Sequence, residues 1–206
     1  MSLGEINIYT PAGQAIMSIV QQDPEIYTIL DIGSYTGLGT TLCVVMGAMA
    51  RAIYKPVSVL SLETNPGHLD VAQKNWEGRP GKEMVQFSRA RVAKSMMTDA
   101  EIKAHPVFDQ WKVHYDRWHI SDVANLIETP LIKINSPIDM VIIDGGEYCG
   151  FQDYMAIKAC NPKYLMLDDI RTMKTDKVLE DALQNGYSLI YRTEDRNGFA
   201  ILKRSS

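Results

Sequence analysis

The chain has 206 residues, 46% of them hydrophobic and 22% charged, which suits one globular domain, 1–206, with a sizeable core. Lys and Arg number 21 against 25 Asp and Glu, and the net charge of −4 gives no support for nucleic acid or an anionic membrane as a partner. Three scattered cysteines, Cys43, Cys149 and Cys160, fit neither a disulfide framework nor a zinc site, so buried thiols in a reducing, cytoplasmic setting are expected. No run of about 20 apolar residues and no basic-then-apolar leader is found, so a soluble protein is expected. Met1-Ser2-Leu3 reads as an expression remnant and is given no structural weight.

Thr10-Pro11 offers an N-cap followed by proline at the first helical position, and Ala15, Ile16, Ile19 and Val20 continue at helical spacing, so a helix is predicted over 10–22. Asp23-Pro24 breaks it. The run 26–32 is too continuously apolar for a one-sided sheet and reads as a buried strand. An apolar helix is expected over 40–55, stopped before Pro56, and a second strand over 57–63. Leu69, Val71, Ala72 and Trp76 suggest a helix up to the Gly78–Gly81 break, and a third strand over 85–92 follows. Between 98 and 137 the pattern loosens into an insertion or lid candidate. Thr98 to Glu101 has the form of a capping box there, and 121–127 suits a short helix. Phe108, Trp111, His114, Tyr115, Trp118 and His119 in this stretch either meet a substrate or anchor a long connection. Strands at 138–143 and 164–167 and helices at 151–159 and 178–184 precede two last apolar runs, 187–193 and 198–203, which form a hairpin around Glu194-Asp195-Arg196-Asn197.

Strands alternating with helices predict a doubly wound, Rossmann-like, mostly parallel seven-stranded sheet with a C-terminal antiparallel hairpin. In such sheets ligands bind at the carboxyl ends of the strands, and Asp31, Glu63, Asp144, Asp168 and Asp169 all stand at those ends. Gly33, Gly37 and Gly39 form a strand-to-helix turn of G-x-x-x-G-x-G spacing, distinct from the dinucleotide fingerprint. Such a turn lets the backbone approach a ligand and points helix N–H groups at an anion.

These residues resemble the class I S-adenosylmethionine-dependent methyltransferases, and among them the catechol O-methyltransferase-like branch. The likeness runs through Gly13-Gln14, Leu30-Asp31-Ile32-Gly33-Ser34-Tyr35-Thr36-Gly37, Leu62-Glu63-Thr64-Asn65-Pro66, Asp139 to Asp144, and Leu165-Met166-Leu167-Asp168-Asp169, in the family's order. It implies that Gly33, Ser34, Tyr35, Gly37, Gly39 and Thr40 wrap the methionine part of S-adenosylmethionine and that Glu63 accepts both ribose hydroxyls. Asp31 then orders the loop or meets the cofactor's ammonium group. Asp144, Asp168 and Asp169 match the branch's Mg²⁺ ligands, in which the metal orients and acidifies the acceptor.

One position departs from the pattern. Where the branch places a lysine base three residues after the first metal aspartate, this chain has Glu147, which is a base, a fourth ligand or a solvated loop residue. Gly145 and Gly146 also replace the side chains that pack on adenine in that branch. The expected function is O-methylation of a small-molecule acceptor, with Asp144 and Glu147 as catalytic candidates and no nucleic acid or membrane partner. The rivals are a cephalosporin-hydroxylase-like metal-assisted enzyme, a nicotinamide-dependent oxidoreductase, and a non-catalytic S-adenosylmethionine-binding module. Oligomeric state is not readable.

Overall fold

The computed structural model describes residues 5–52 and 55–205. The opening Met1-Ser2-Leu3 lies outside the described residues, as do positions 53 and 54 of the expected second helix. The elements run α1 (Pro11–Gln22), β1 (Thr28–Ile32), α2 (Thr40–Met49), β2 (Ser58–Leu62), α3 (Pro66–Trp76), β3 (Val85–Ser88), α4 (Asp99–Lys103), α5 (Phe108–Trp111), α6 (Tyr115–Glu128), β4 (Met140–Ile143), α7 (Gly150–Ile157), β5 (Tyr164–Asp168), α8 (Asp176–Gln184), β6 (Tyr187–Thr193) and β7 (Phe199–Arg204). The strands form one seven-stranded sheet in the order β3-β2-β1-β4-β5-β7-β6. The pairs from β3 to β5 are parallel, while β7 is antiparallel to both β5 and β6.

The apolar runs of the central strands have a simple cause, because both faces of the sheet are covered. On one face Ile29, Val59, Met140, Ile142 and Met166 pack with Ile16 and Val20 of α1 and Val44 and Val45 of α2. On the other, Leu30, Ile32, Val141, Ile143, Leu165 and Leu167 pack with Tyr154 and Ile157 of α7 and Val178 and Ala182 of α8. The period of two in each strand divides its residues between the two cores.

Local sequence explains most boundaries. The Thr10 hydroxyl accepts the Gly13 N–H at the start of α1, and the Thr98–Glu101 capping box opens α4 as its spacing predicts. The second helix is shorter than expected and ends at Met49. Just beyond it the buried Arg51 guanidinium donates to the Val20, Asp23, Ile26 and Lys55 carbonyls, which ties the chain down instead of continuing the helix. The third strand is also shorter. After Ser88 the chain leaves the sheet, and Arg91 forms an isolated parallel bridge with Leu131. In the insertion, α6 is twice the length expected there, 14 residues. Of the cysteines, Cys43 and Cys149 are buried and Cys160 is only half-buried.

Candidate active site

The carboxyl ends of β1, β2, β4 and β5 open into a cavity of about 560 Å³, within the range of small-molecule sites. Asp31 does not line it. Its fully buried carboxylate accepts from the hydroxyls of Thr40 (2.9 Å), Thr41 (2.5 Å) and Ser61 (3.3 Å), which fastens the first turn of α2 to β1 and β2. Burial, opposed by these hydroxyls, pushes the Asp31 carboxyl up to about 6. Of the two roles open to it in the sequence, ordering the loop is the one its contacts serve.

The glycine loop divides in function. Gly33 has φ +93°, and its N–H and that of Ser34 donate to the Leu62 carbonyl at 2.9 and 3.0 Å, so the loop starts pinned to β2. Gly33, Ser34, Tyr35, Gly39 and Thr40 all reach the cavity wall, and the buried Ser34 hydroxyl has no hydrogen-bond partner among the described residues. Gly39 precedes α2 without a side-chain cap, so the N-terminus of that helix faces the cavity as an anion site would. Gly37 is different. At φ +71° a Cβ there would lie 2.8 Å from Nε1 of the buried Trp76, which donates to the Gly37 carbonyl. The expectation that Gly37 wraps a ligand is corrected on that ground: it is a packing position under the loop, behind the wall.

Glu63 ends β2 with its side chain inside the cavity and only 7% of the residue exposed. Oε2 accepts the Tyr35 N–H and Oε1 the Asn65 N–H, both at 2.8 Å. Each oxygen keeps a lone pair for a further donor. Burial raises the carboxyl above its ordinary value, and the backbone donors oppose this. The cap of α3 is Asn65, whose side chain accepts the His68 N–H.

At the other end, Asp144, Asp168 and Asp169 do converge, and the counter-charge among them comes from the chain itself. Lys174 Nζ lies 2.7 Å from Asp169, 3.0 Å from Asp144 and 3.8 Å from Asp168. Burial raises the Asp144 and Asp168 carboxyls, and the mutual repulsion of the two adds to the rise at Asp168. Burial works against the Lys174 charge, but the surrounding carboxylates outweigh it and hold the ammonium well above its usual range. Among the described residues no cluster of three or more His, Cys, Asp or Glu is arranged to hold a metal ion. The donor set therefore does not fit Mg²⁺ as the sequence led us to expect, because an ammonium group takes the shared position. Asp144, expected to be catalytic, is a partner of that ammonium.

Glu147 lies on the cavity wall with one carboxylate oxygen buried and without a hydrogen-bond partner among the described residues. Burial pushes it up to about 7 against the pull of Lys174. The insertion supplies the cover. Trp118, Ser121, Asp122, Asn125 and Leu126 of α6 line the cavity, and the Tyr148 N–H donates to Asp122 at 2.8 Å. A Cβ on Gly146 would sit 2.5 Å from Asp122, so this glycine leaves room for the helix. Sequence reasoning missed Lys174, Asp122 and Asp153. The last of these is buried in α7, lines the same cavity and accepts the Ala93 N–H at 3.1 Å.

Comparison with solved structures matches this architecture over nearly the whole chain. An O-methyltransferase from Bacillus cereus in complex with SAH superposes with a TM-score of 0.61 at 16% identity, covering 98% of this chain and 84% of that one. A SAH-bound methyltransferase from Podospora anserina gives 0.58 at 11% identity, covering 94% and 78%. A methyltransferase from Geobacter sulfurreducens gives 0.59 at 11% identity, covering 97% and 81%. The chain has the Rossmann-like methyltransferase fold. No family model matches its sequence, and no curated protein does either. In this methyltransferase fold β7 runs antiparallel between β5 and β6 and carries no site residue named above, whereas the acids lining the cavity, Glu5 apart, follow β2, sit on α6 or α7, or stand at or just beyond the ends of β4 and β5.

Proposed function

We propose that this chain is an S-adenosylmethionine-dependent O-methyltransferase acting on a small molecule. The observation that carries the reading is Glu63: a buried carboxylate at the end of β2, held by two backbone N–H groups, with lone pairs left over for a pair of ribose hydroxyls. The rest of the donor set fits the same cofactor. The uncapped N-terminus of α2 and the buried Ser34 hydroxyl, without a partner among the described residues, suit its carboxylate and ammonium ends. When bound, S-adenosylmethionine supplies an electrophilic methyl group.

The residues of the chain do the remainder. The loop and Glu63 fix the orientation, α6 excludes water, and Glu147 takes the proton from the acceptor hydroxyl. A base pushed up to about 7 is deprotonated only above that pH, so the methyl-transfer rate is expected to rise as pH passes 7 and then level off. Glu147→Gln should remove this rise and lower turnover by about 100-fold or more, with cofactor affinity within threefold of the original. The measurement is labelled-methyl transfer across a panel of phenols and hydroxy acids. An unchanged profile in Glu147→Gln would move the base to His119 of α6.

The reading itself is tested by calorimetry with S-adenosylmethionine, S-adenosylhomocysteine and NAD in parallel. Micromolar binding of the two sulfur compounds is expected. NAD binding more tightly than either would replace the reading with an oxidoreductase.

A further inference from the structure

Lys174 lies in the loop after β5, and its course is over-determined. Asp169 takes a left-handed backbone, φ +56°, that reverses the chain. The Thr172 and Thr175 hydroxyls then donate to the Asp169 and Asp168 carbonyls. Gly150 packs so closely on this loop that a Cβ would fall 2.0 Å from the Lys174 carbonyl oxygen. The side chain that results is 9% exposed, and its ammonium group reaches all three strand-end carboxylates while facing the cavity. A Mg²⁺ ion on the same oxygens would need them at about 2.0–2.1 Å in near-octahedral array. It would also stand within a few ångströms of a buried ammonium.

We propose that Lys174 is the built-in cation of this site, standing where a divalent ion would otherwise sit, so that the acceptor oxygen meets an N–H of the chain and no metal is required. The part concerning the acceptor rests on the methyltransferase reading; the part concerning the cation does not. Lys174 donates one hydrogen bond to Asp144 and is ion-paired with Asp169, while Asp168 stands at 3.8 Å.

The test uses Mn²⁺ as probe, read by its electron paramagnetic resonance signal and by melting temperature, on the whole chain with and without S-adenosylhomocysteine. Wild-type protein should leave millimolar Mn²⁺ free and its melting point unmoved. Lys174→Ala, which vacates the centre of the three carboxylates, should bind Mn²⁺ at least tenfold more tightly than wild type and melt higher in its presence. If that variant does not fold in plain buffer, refolding with and without Mn²⁺ replaces the measurement: recovery only with the ion supports the proposal, and no difference overturns it. Mn²⁺ binding to wild type that Asp169→Asn abolishes would also overturn it, as would a folded Lys174→Ala that ignores the ion. Absence of S-adenosylhomocysteine binding in calorimetry would instead remove the methyltransferase reading and leave the cation result standing.

Discussion

Glu63→Ala is expected to weaken S-adenosylmethionine binding by at least tenfold, and by up to about 100-fold. Two effects add. The variant loses an anionic acceptor for a pair of hydroxyls, worth about 1.5–3 kcal/mol. It also releases the Tyr35 and Asn65 N–H groups that now converge on the carboxylate, so the glycine loop and the start of α3 lose their common anchor. Glu63→Gln should fare little better. Both carboxylate oxygens accept backbone donors, and an amide NH₂ at either place would point a donor at a donor. Calorimetry with S-adenosylhomocysteine measures the loss, and a melting curve of the free variant separates it from unfolding. Unchanged affinity in Glu63→Ala would remove the cofactor assignment.

Much of this site was legible in the sequence because strand ends announce themselves. A run of residues buried on both faces, closed by an acid, has few other readings in an α/β pattern, and four of the five acids placed in this way, all but Asp31, line the cavity. What the pattern does not show is how loops return. Lys174 follows Asp168 by six positions in a stretch without periodicity, and only the left-handed Asp169 and the Thr172 and Thr175 hydroxyls turn it back on the acids. The flanking threonines were the available signal, since hydroxyls beside a lone lysine after a strand suit a tightly folded loop. The insertion was obscure for a different reason. Helix α6 carries aromatics, histidines and acids over a cavity instead of an apolar stripe over a core, and Asp122 is its one buried residue. Periodicity reads packing against apolar neighbours, so a helix that covers a polar site leaves little trace. Gly37 erred in the opposite direction. The spacing was right for a ligand loop, yet its neighbour is Trp76, 39 residues away, which no local motif reveals.

Gly33→Ala is expected to cost about 3 kcal/mol or more of stability together with ligand binding. The φ of +93° alone makes an alanine strained there. The larger part comes from contact, since the added Cβ would sit 2.0 Å from the carbonyl oxygen of Asp144 and 2.9 Å from the Gly145 nitrogen. These are backbone atoms at the end of β4, and the Asp144 N–H is itself held by the Ile32 carbonyl at 2.9 Å. Relief therefore means prising β1 from β4 at the point where the glycine loop, Asp144 and the Gly145-Gly146 turn meet. Gly186→Ala separates the two contributions. Its φ of +87° is nearly the same, but an added Cβ would meet nothing within 4 Å, so it should show backbone strain alone, about 1 kcal/mol. Urea unfolding of the two variants, compared at unchanged slope, gives the difference directly. If Gly33→Ala costs no more than Gly186→Ala, the β1 and β4 ends have room to part, and the close approach that builds this cavity is not what holds the loop in place.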